Sequence, residues 1–219
     1  ALRVLSLQPR TTARPEPAVA VNTELWAGAS AVEGRDDEGF RLLLTQLCEM
    51  VGRSKNAQWT EMAFAAAMEP GQWSDDAARG NAVAALSGLA RGLAATGQPL
   101  SRWLASTSDQ AAEGVARAED LFTRTVDVAR STECSSDDRN AAIEFLRYGT
   151  WDQVGEALLS IATGDDPAHL KQAAINSLRS FSDTAVAEEL LGEFNAQTPA
   201  IRRAMLDLLL SRPAWCDVL

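Results

Sequence analysis

The chain has 219 residues, 46% hydrophobic and 23% charged, an ordinary composition for a folded domain. Its 20 basic residues face 30 acidic ones, and a net charge of −10 is the reverse of the basic surplus that a nucleic-acid binder needs. The same charge repels anionic lipid, and no apolar run approaches the length that spans a bilayer, so neither a nucleic-acid partner nor membrane insertion is expected.

Helix signals dominate from the start, and sustained period-two alternation is absent. Ala1–Leu7 reads as the tail of a helix, and Gln8–Pro17, with three prolines, as a loop. The chain begins at Ala1 rather than Met and shows no signal peptide, and the expectation is a processed product or a piece of a longer protein. Helices are predicted over 18–33, 37–52, 56–68 and 75–96, the last capped by Ser74 and stopped by Gly97-Gln-Pro99. A short segment around Leu100–Leu104 leads to a long helix over about 110–131. Gly88-Leu-Ala-Arg-Gly92 is a small-residue pattern, and Arg91 makes it a close crossing of two helices rather than a membrane dimer face. No stretch is long or polar enough for a linker, so one domain over 1–219 is expected.

From residue 136 onward the chain repeats itself. Arg139-Asn-Ala-Ala-Ile-Glu-Phe-Leu-Arg147 returns as Lys171-Gln-Ala-Ala-Ile-Asn-Ser-Leu-Arg179 and again as Arg202-Arg-Ala-Met-Leu-Asp-Leu-Leu-Leu210, at intervals of 32 and 31 residues. A period of this size marks stacked helical hairpins. Each phrase is the second helix of a unit, with Ala142, Ile143 and Leu146, then Ala174, Ile175 and Leu178, then Met205, Leu206 and Leu209 facing inward. The first helices carry Val154, Leu158, Leu159 and Ala162, and then Val186, Leu190, Leu191 and Phe194. Thr150, Ser135 or Ser136, Asp166 and Thr198 are the expected N-caps, the last two preceding a proline at the first helical position. Gly149 and Gly164 stand where a left-handed C-terminal residue is expected.

Few residues carry chemistry. Cys48, Cys134 and Cys216 lie far apart, no Cys-x-x-Cys occurs, and His169 is the single histidine, which leaves neither a zinc ligand set nor a c-type haem attachment. No cofactor, metal or catalytic residue is therefore expected, and His169 reads as an exposed residue in a first helical turn. The repeated cation Arg139/Lys171/Arg202 reads as a partner for acids at the same or the adjacent helix start, such as Asp137, Asp138, Asp165 and Asp166, rather than as a basic ladder for a ligand. The candidate partner surface is the outward face of the second helices: Glu144, Arg147, Gln172, Asn176, Arg179, Arg203 and Asp207. A plain solvated face would read the same way. Tryptophans 26, 59, 73, 103, 151 and 215 read as wedges between helices, with Trp215 lacking its cover if the chain continues.

Two stretches, Trp73 through Leu104 with Ala84-Ala-Leu-Ser-Gly-Leu-Ala-Arg-Gly-Leu93, and Thr198-Pro-Ala-Ile-Arg-Arg-Ala-Met-Leu-Asp through Trp215, together resemble the HEAT-repeat region of large bacterial exported proteins. Those proteins join a sugar-dehydrogenase-like β-propeller, HEAT repeats and a C-terminal c-type cytochrome domain. The resemblance spans most of residues 73–219, and the haem and propeller residues have no counterpart here. It implies a middle module of an exported, periplasmic haem-containing redox protein, acting as spacer or docking platform; the residues themselves do not give a compartment.

The expected fold is all-α, a right-handed α-α superhelix of the HEAT/armadillo-like solenoid type, clearest over 136–211. The expected role is a non-catalytic scaffold or protein-interaction module, with a protein or neighbouring domains of the same chain as partner. Two other classes compete: a HEAT-like repeat enzyme of the DNA glycosylase or bilin lyase type, and a helical ligand-binding domain with a pocket lined by Trp59, Trp73 and Trp103.

Overall fold

Among the residues that the computed structural model describes, 38–69, 76–107 and 112–216, the regular structure is helical and no strand occurs. The tail at Ala1–Leu7, the proline-rich loop, the helix expected over 18–33, Trp26, Trp73 and the Ser74 cap lie outside the described residues, so the one-domain reading of 1–219 extends beyond them. The described residues belong to one compact unit, Asp36–Leu219.

The first five helices are α1 (Glu38–Arg53), α2 (Ala57–Ala67), α3 (Asp76–Ala95), α4 (Leu100–Ala105) and α5 (Ala112–Arg130), within a few residues of the periodicity. Asn56 starts α2 by accepting the Trp59 N–H at 3.1 Å, after Lys55 turns the chain at φ 56°. Gly97, at φ 84°, ends α3 in the left-handed conformation that its lack of a Cβ permits.

The glycines of α3 do the work that their spacing implies. A Cβ on Gly88 would stand 2.2 Å from the Thr45 carbonyl oxygen, and one on Gly92 would stand 2.3 Å from that of Glu49. Gly52 of α1 returns the contact, its absent Cβ 2.8 Å from the Leu89 oxygen. Helices α1 and α3 therefore touch backbone to backbone, with Leu44, Cys48, Leu86 and Leu89 buried along the seam. Gly88→Ala should destabilise the chain by about 1–3 kcal/mol, because the obstacle is a rigid carbonyl and the helices must separate. Urea denaturation followed by circular dichroism measures this; an unchanged midpoint would mean that the two helices yield freely.

The repeats follow as α6 (Ser136–Leu146), α7 (Trp151–Thr163), α8 (Ala168–Leu178), α9 (Ala185–Gly192), α10 (Pro199–Leu209) and a short α11 (Pro213–Cys216). Ser135 caps α6 by accepting the Asp138 N–H at 3.1 Å, and Gln153 Oε1 accepts the Thr150 N–H at the start of α7. Second helices pack side by side, α6 against α8 and α8 against α10. First helices do the same, α5 against α7 and α7 against α9. The core between the two rows holds Ile143, Leu146, Leu158, Ile175, Val186 and Met205, all without solvent exposure.

Several local expectations need correction. Gly149 and Gly164 are not left-handed: Gly97 is the one described glycine with positive φ. They are glycines for room, since a Cβ would meet Val154 Cγ1 at 2.7 Å in one case and the Ser160 carbonyl at 2.6 Å in the other. Asp166 does not cap α8; Pro167 occupies that position, and the carboxylate is engaged elsewhere. Thr198 does stand at the N-cap of α10, before Pro199, but its hydroxyl makes no capping bond. The helix expected to carry Phe194 ends at Gly192, and Phe194–Ala196 form a 3-10 turn. Trp215 is fully buried, with its indole N–H donating to the Asp183 carbonyl at 3.2 Å and Arg212 over its ring, so it has its cover within the chain. Leu206, expected inward, is 37% exposed.

Candidate interaction surface

Side-by-side packing of α6, α8 and α10 sets the candidate surface in three columns, Asn140–Gln172–Arg203, Glu144–Asn176–Asp207 and Arg147–Arg179–Leu210. Glu144, Asn176, Arg179, Arg203 and Asp207 are exposed, and Arg147 and Gln172 are half-buried. Neighbours on one helix satisfy each other: Asn140 Nδ2 donates to Glu144 Oε1 at 3.2 Å, and Gln172 Nε2 to Asn176 Oδ1 at 3.5 Å. At one end, Arg91 of α3 and Glu49 of α1 lie near enough for their charges to act on Tyr148. Burial raises the Tyr148 phenol there, opposed by the guanidinium charges of Arg147 and Arg91. Arg91 in turn pairs with Glu49 at 3.3 Å.

The repeated cations lie behind this face, not on it. Arg139 is buried; its Nε donates to the Ala129 carbonyl near the end of α5 at 3.0 Å, and its Nη2 pairs with Asp166 ahead of α8. One unit on, Lys171 Nζ donates to Gln197 Oε1 at 2.9 Å, and Gln197 Nε2 donates to the Thr163 carbonyl, the last residue of α7, at 2.8 Å. In both units a cation reaches forward to the loop that opens the next second helix, and a side chain closes a helix C-terminus. Arg202 breaks the series: its guanidinium lies over the Phe194 ring at 6.0 Å and meets no carboxylate or amide oxygen among the described residues.

Two further bonds span one repeat. Ser177, fully buried, donates from Oγ to the Ile143 carbonyl at 2.9 Å, and Arg212 Nη2 donates to the Arg179 carbonyl at 2.8 Å. Sequence reasoning missed Gln197, Ser177 and Arg212. Gln197 had one signal, a polar residue two places before a helix-start proline, where the preceding unit has Asp165.

Among the described residues, one hydroxyl–imidazole pair occurs, and no further side chain holds that imidazole by a hydrogen bond. His169 is exposed and shares a hydrogen bond with Ser136 Oγ at 2.6 Å, a tie between the starts of α8 and α6. Among the described residues, no three His, Cys, Asp or Glu side chains converge on a metal position. Trp103 is buried edge-on against Phe64, with centroids 5.1 Å apart, and Trp59 is 39% exposed on α2. Trp103 is thus part of the core, and Trp73, the third of the expected pocket residues, lies outside the described residues. An open cleft of about 530 Å³ lies between α7 and α9, edged by Glu156, Ser160, Thr163, Glu189 and Glu193. No described helix is long and apolar enough to cross a membrane.

Burial pushes the Cys48 thiol up to about 12, so the thiolate is scarce at neutral pH and the native protein should resist alkylation at this position. The folded state keeps the Cys48 proton at a pH where the unfolded chain has lost it. This contribution is intact below about 9 and is lost as pH rises towards 12, by about 1.4 kcal/mol per unit. Urea midpoints over this range should fall less steeply in Cys48→Ala than in the wild type, and equal slopes would mean that the thiol is not buried in solution.

Compared with protein-family models, curated proteins and solved structures, the chain matches none, so its family is argued from its own residues.

Proposed function

We propose that the chain is a right-handed α-α superhelix of HEAT-like hairpins and works as a non-catalytic scaffold or protein-interaction module. The observation that carries this is the packing of each second helix on the next, with side-chain links from Arg139 to Asp166 and from Lys171 to Gln197 recurring at nearly the repeat interval. A hairpin of this size cannot bury its apolar stripe alone, so neighbours supply the stability and the outer faces are left for partners. The mixed charges of Glu144, Arg147, Arg179, Arg203 and Asp207, with Gln172 and Asn176 between them, suit a protein surface better than a polyanion. By its resemblance to the HEAT-repeat region of exported proteins, the module is the middle segment of an exported haem-containing redox protein, with its partner in a neighbouring domain or a second protein.

Two measurements test this. Native-state hydrogen exchange should show protection that changes from hairpin to hairpin; a single opening energy across 136–211 would replace the stack with a globular bundle. Immobilised wild type should retain proteins from a bacterial extract that a folded Glu144→Lys/Arg179→Glu/Asp207→Lys variant does not. Equal retention by both would take the interaction surface away from these helices.

A further inference from the structure

Helices α6 and α8 pack side by side, and the Arg139–Asp166 and Ser136–His169 bonds tie their starts together, so their ends also share an edge. Asp137, Asp138, Asp165 and Asp166 gather at the starts, whereas the ends carry Arg147 and Arg179. On a chain of net charge −10 the second edge is a local basic strip. It lies within the stack: α8 flanks α6, and the charges of Arg91 on α3 and Glu49 on α1 reach Tyr148. Cations at helix ends complement the helix dipole, which accounts for their presence but not for how Arg147 is held.

Arg139 and Arg147, at the two ends of α6, are in opposite states. Arg139 donates to the Ala129 carbonyl and to Asp166. Arg147 makes no hydrogen bond or ion pair among the described residues, and its Nε is sealed from water. A buried N–H without an acceptor costs free energy, so this guanidinium does not serve the fold as Arg139 does. Packing grips its stem at Nε, and its two Nη groups stay open to water without a partner. The Tyr148 hydroxyl beside it also bonds to no described residue, and burial of the ring keeps the phenol protonated at neutral pH. The nearby carboxylates are engaged elsewhere: Glu144 accepts from Asn140, and Glu49 is shared by Arg53 and Arg91. A fixed set of donors therefore faces water with no acceptor.

We propose that Arg147 and Tyr148 anchor a carboxylate from an acidic, extended segment of a protein partner, and that a second carboxylate of the same segment takes Arg179. This names the partner's chemistry for the interaction module and rests on that reading. The two Nη groups of Arg147 form the fork that a carboxylate fits, and the Tyr148 hydroxyl adds a further donor. A stem already held by packing loses little freedom on binding. Two glutamates act on the same hydroxyl as two arginines do, so the local charge is nearly balanced. A singly charged carboxylate suits that balance, whereas Glu49, Glu144 and the net charge of the chain repel a phosphate dianion or a polyanion. Neighbouring packed helices lie about 8–10 Å apart. A polyproline-type segment repeats its face every three residues, about 9 Å, so acids three residues apart meet Arg147 and Arg179 together.

A peptide with the core Glu-Pro-Pro-Glu, titrated at low salt into the isotopically labelled 219-residue protein and followed by NMR, tests this. The Arg147 Nε–H resonance should shift and saturate with a Kd below about 1 mM, and should not move with Gln-Pro-Pro-Gln. Read from the backbone amides around Tyr148, Arg147→Gln should weaken binding at least about fivefold, and Tyr148→Phe and Arg179→Gln about two- to fourfold each. Arg124→Gln, which removes an equal charge from exposed surface on α5, should leave binding unchanged. Circular dichroism confirms that the variants fold, and Arg147→Lys, which keeps the charge but not the fork, serves if Arg147→Gln does not. A Kd above about 1 mM overturns the proposal, as does equal weakening by Arg124→Gln. Tighter saturation by inorganic phosphate than by the peptide also overturns it, because the site would then take a free anion. If hydrogen exchange stays graded by hairpin while the peptide fails, the carboxylate site falls and the stacked module stands.

Discussion

Arg139→Ala should cost about 3–5 kcal/mol in urea unfolding, more than the loss of an ordinary surface ion pair, for which about 1 kcal/mol is the ceiling. The side chain is 8% exposed and its partner Asp166 is 21% exposed, so water replaces little of what is removed. Two acceptors lose their donor together: the Ala129 carbonyl and the Asp166 carboxylate. Arg139→Lys should recover little, because an ammonium on a flexible stem does not reproduce the guanidinium fork that serves a carbonyl on one side and a carboxylate on the other. Asp166→Ala alone should also destabilise, by leaving the guanidinium half served. The double variant should cost clearly less than the sum, with a coupling of about 1–3 kcal/mol. Additive losses would mean that the two side chains do not meet in solution.

The same residue shows how far the sequence could be read. A cation recurring at fixed register beside helix-start acids pointed to pairing at the same or the adjacent helix start, and the structure places Arg139 against Asp166, at the start of the adjacent second helix. Helix positions were legible because Ala, Leu and Arg at three- and four-residue spacing leave little ambiguity, and Gly88 and Gly92 announced a close crossing. Which helix α3 would cross was not legible: Gly52 is the complementary signal on α1, and a single glycine near the end of an amphipathic stretch marks a helix terminus as readily as a crossing. Cap chemistry was half legible. Thr198 has the right position without the bond, and Asp166 was drawn away by a stronger partner. Tertiary competition for a side-chain oxygen leaves no trace in local spacing. Of the seven residues read as outward, five are exposed, while Arg147 and Gln172 are half covered by neighbours.

The sharpest contrast is between two aliphatics at one repeat position. Ile175→Ala should cost about 2–5 kcal/mol, and Leu206→Ala less than about 1 kcal/mol, although periodicity treats them as equivalents. Ile175 has no exposed surface and sits where α8 is covered by helices on both sides, so its loss leaves a cavity that rigid neighbours cannot fill. Leu206 keeps 37% of its surface in water, so an alanine there lets solvent fill the space. Inwardness at this position depends on the helix that flanks it as well as on the residue's own, and no pattern within α10 encodes that neighbour. Guanidinium or urea midpoints of the two variants settle the matter: comparable losses would mean that Leu206 is covered in solution, and a small loss for Ile175 would mean that α8 is not held between α6 and α10.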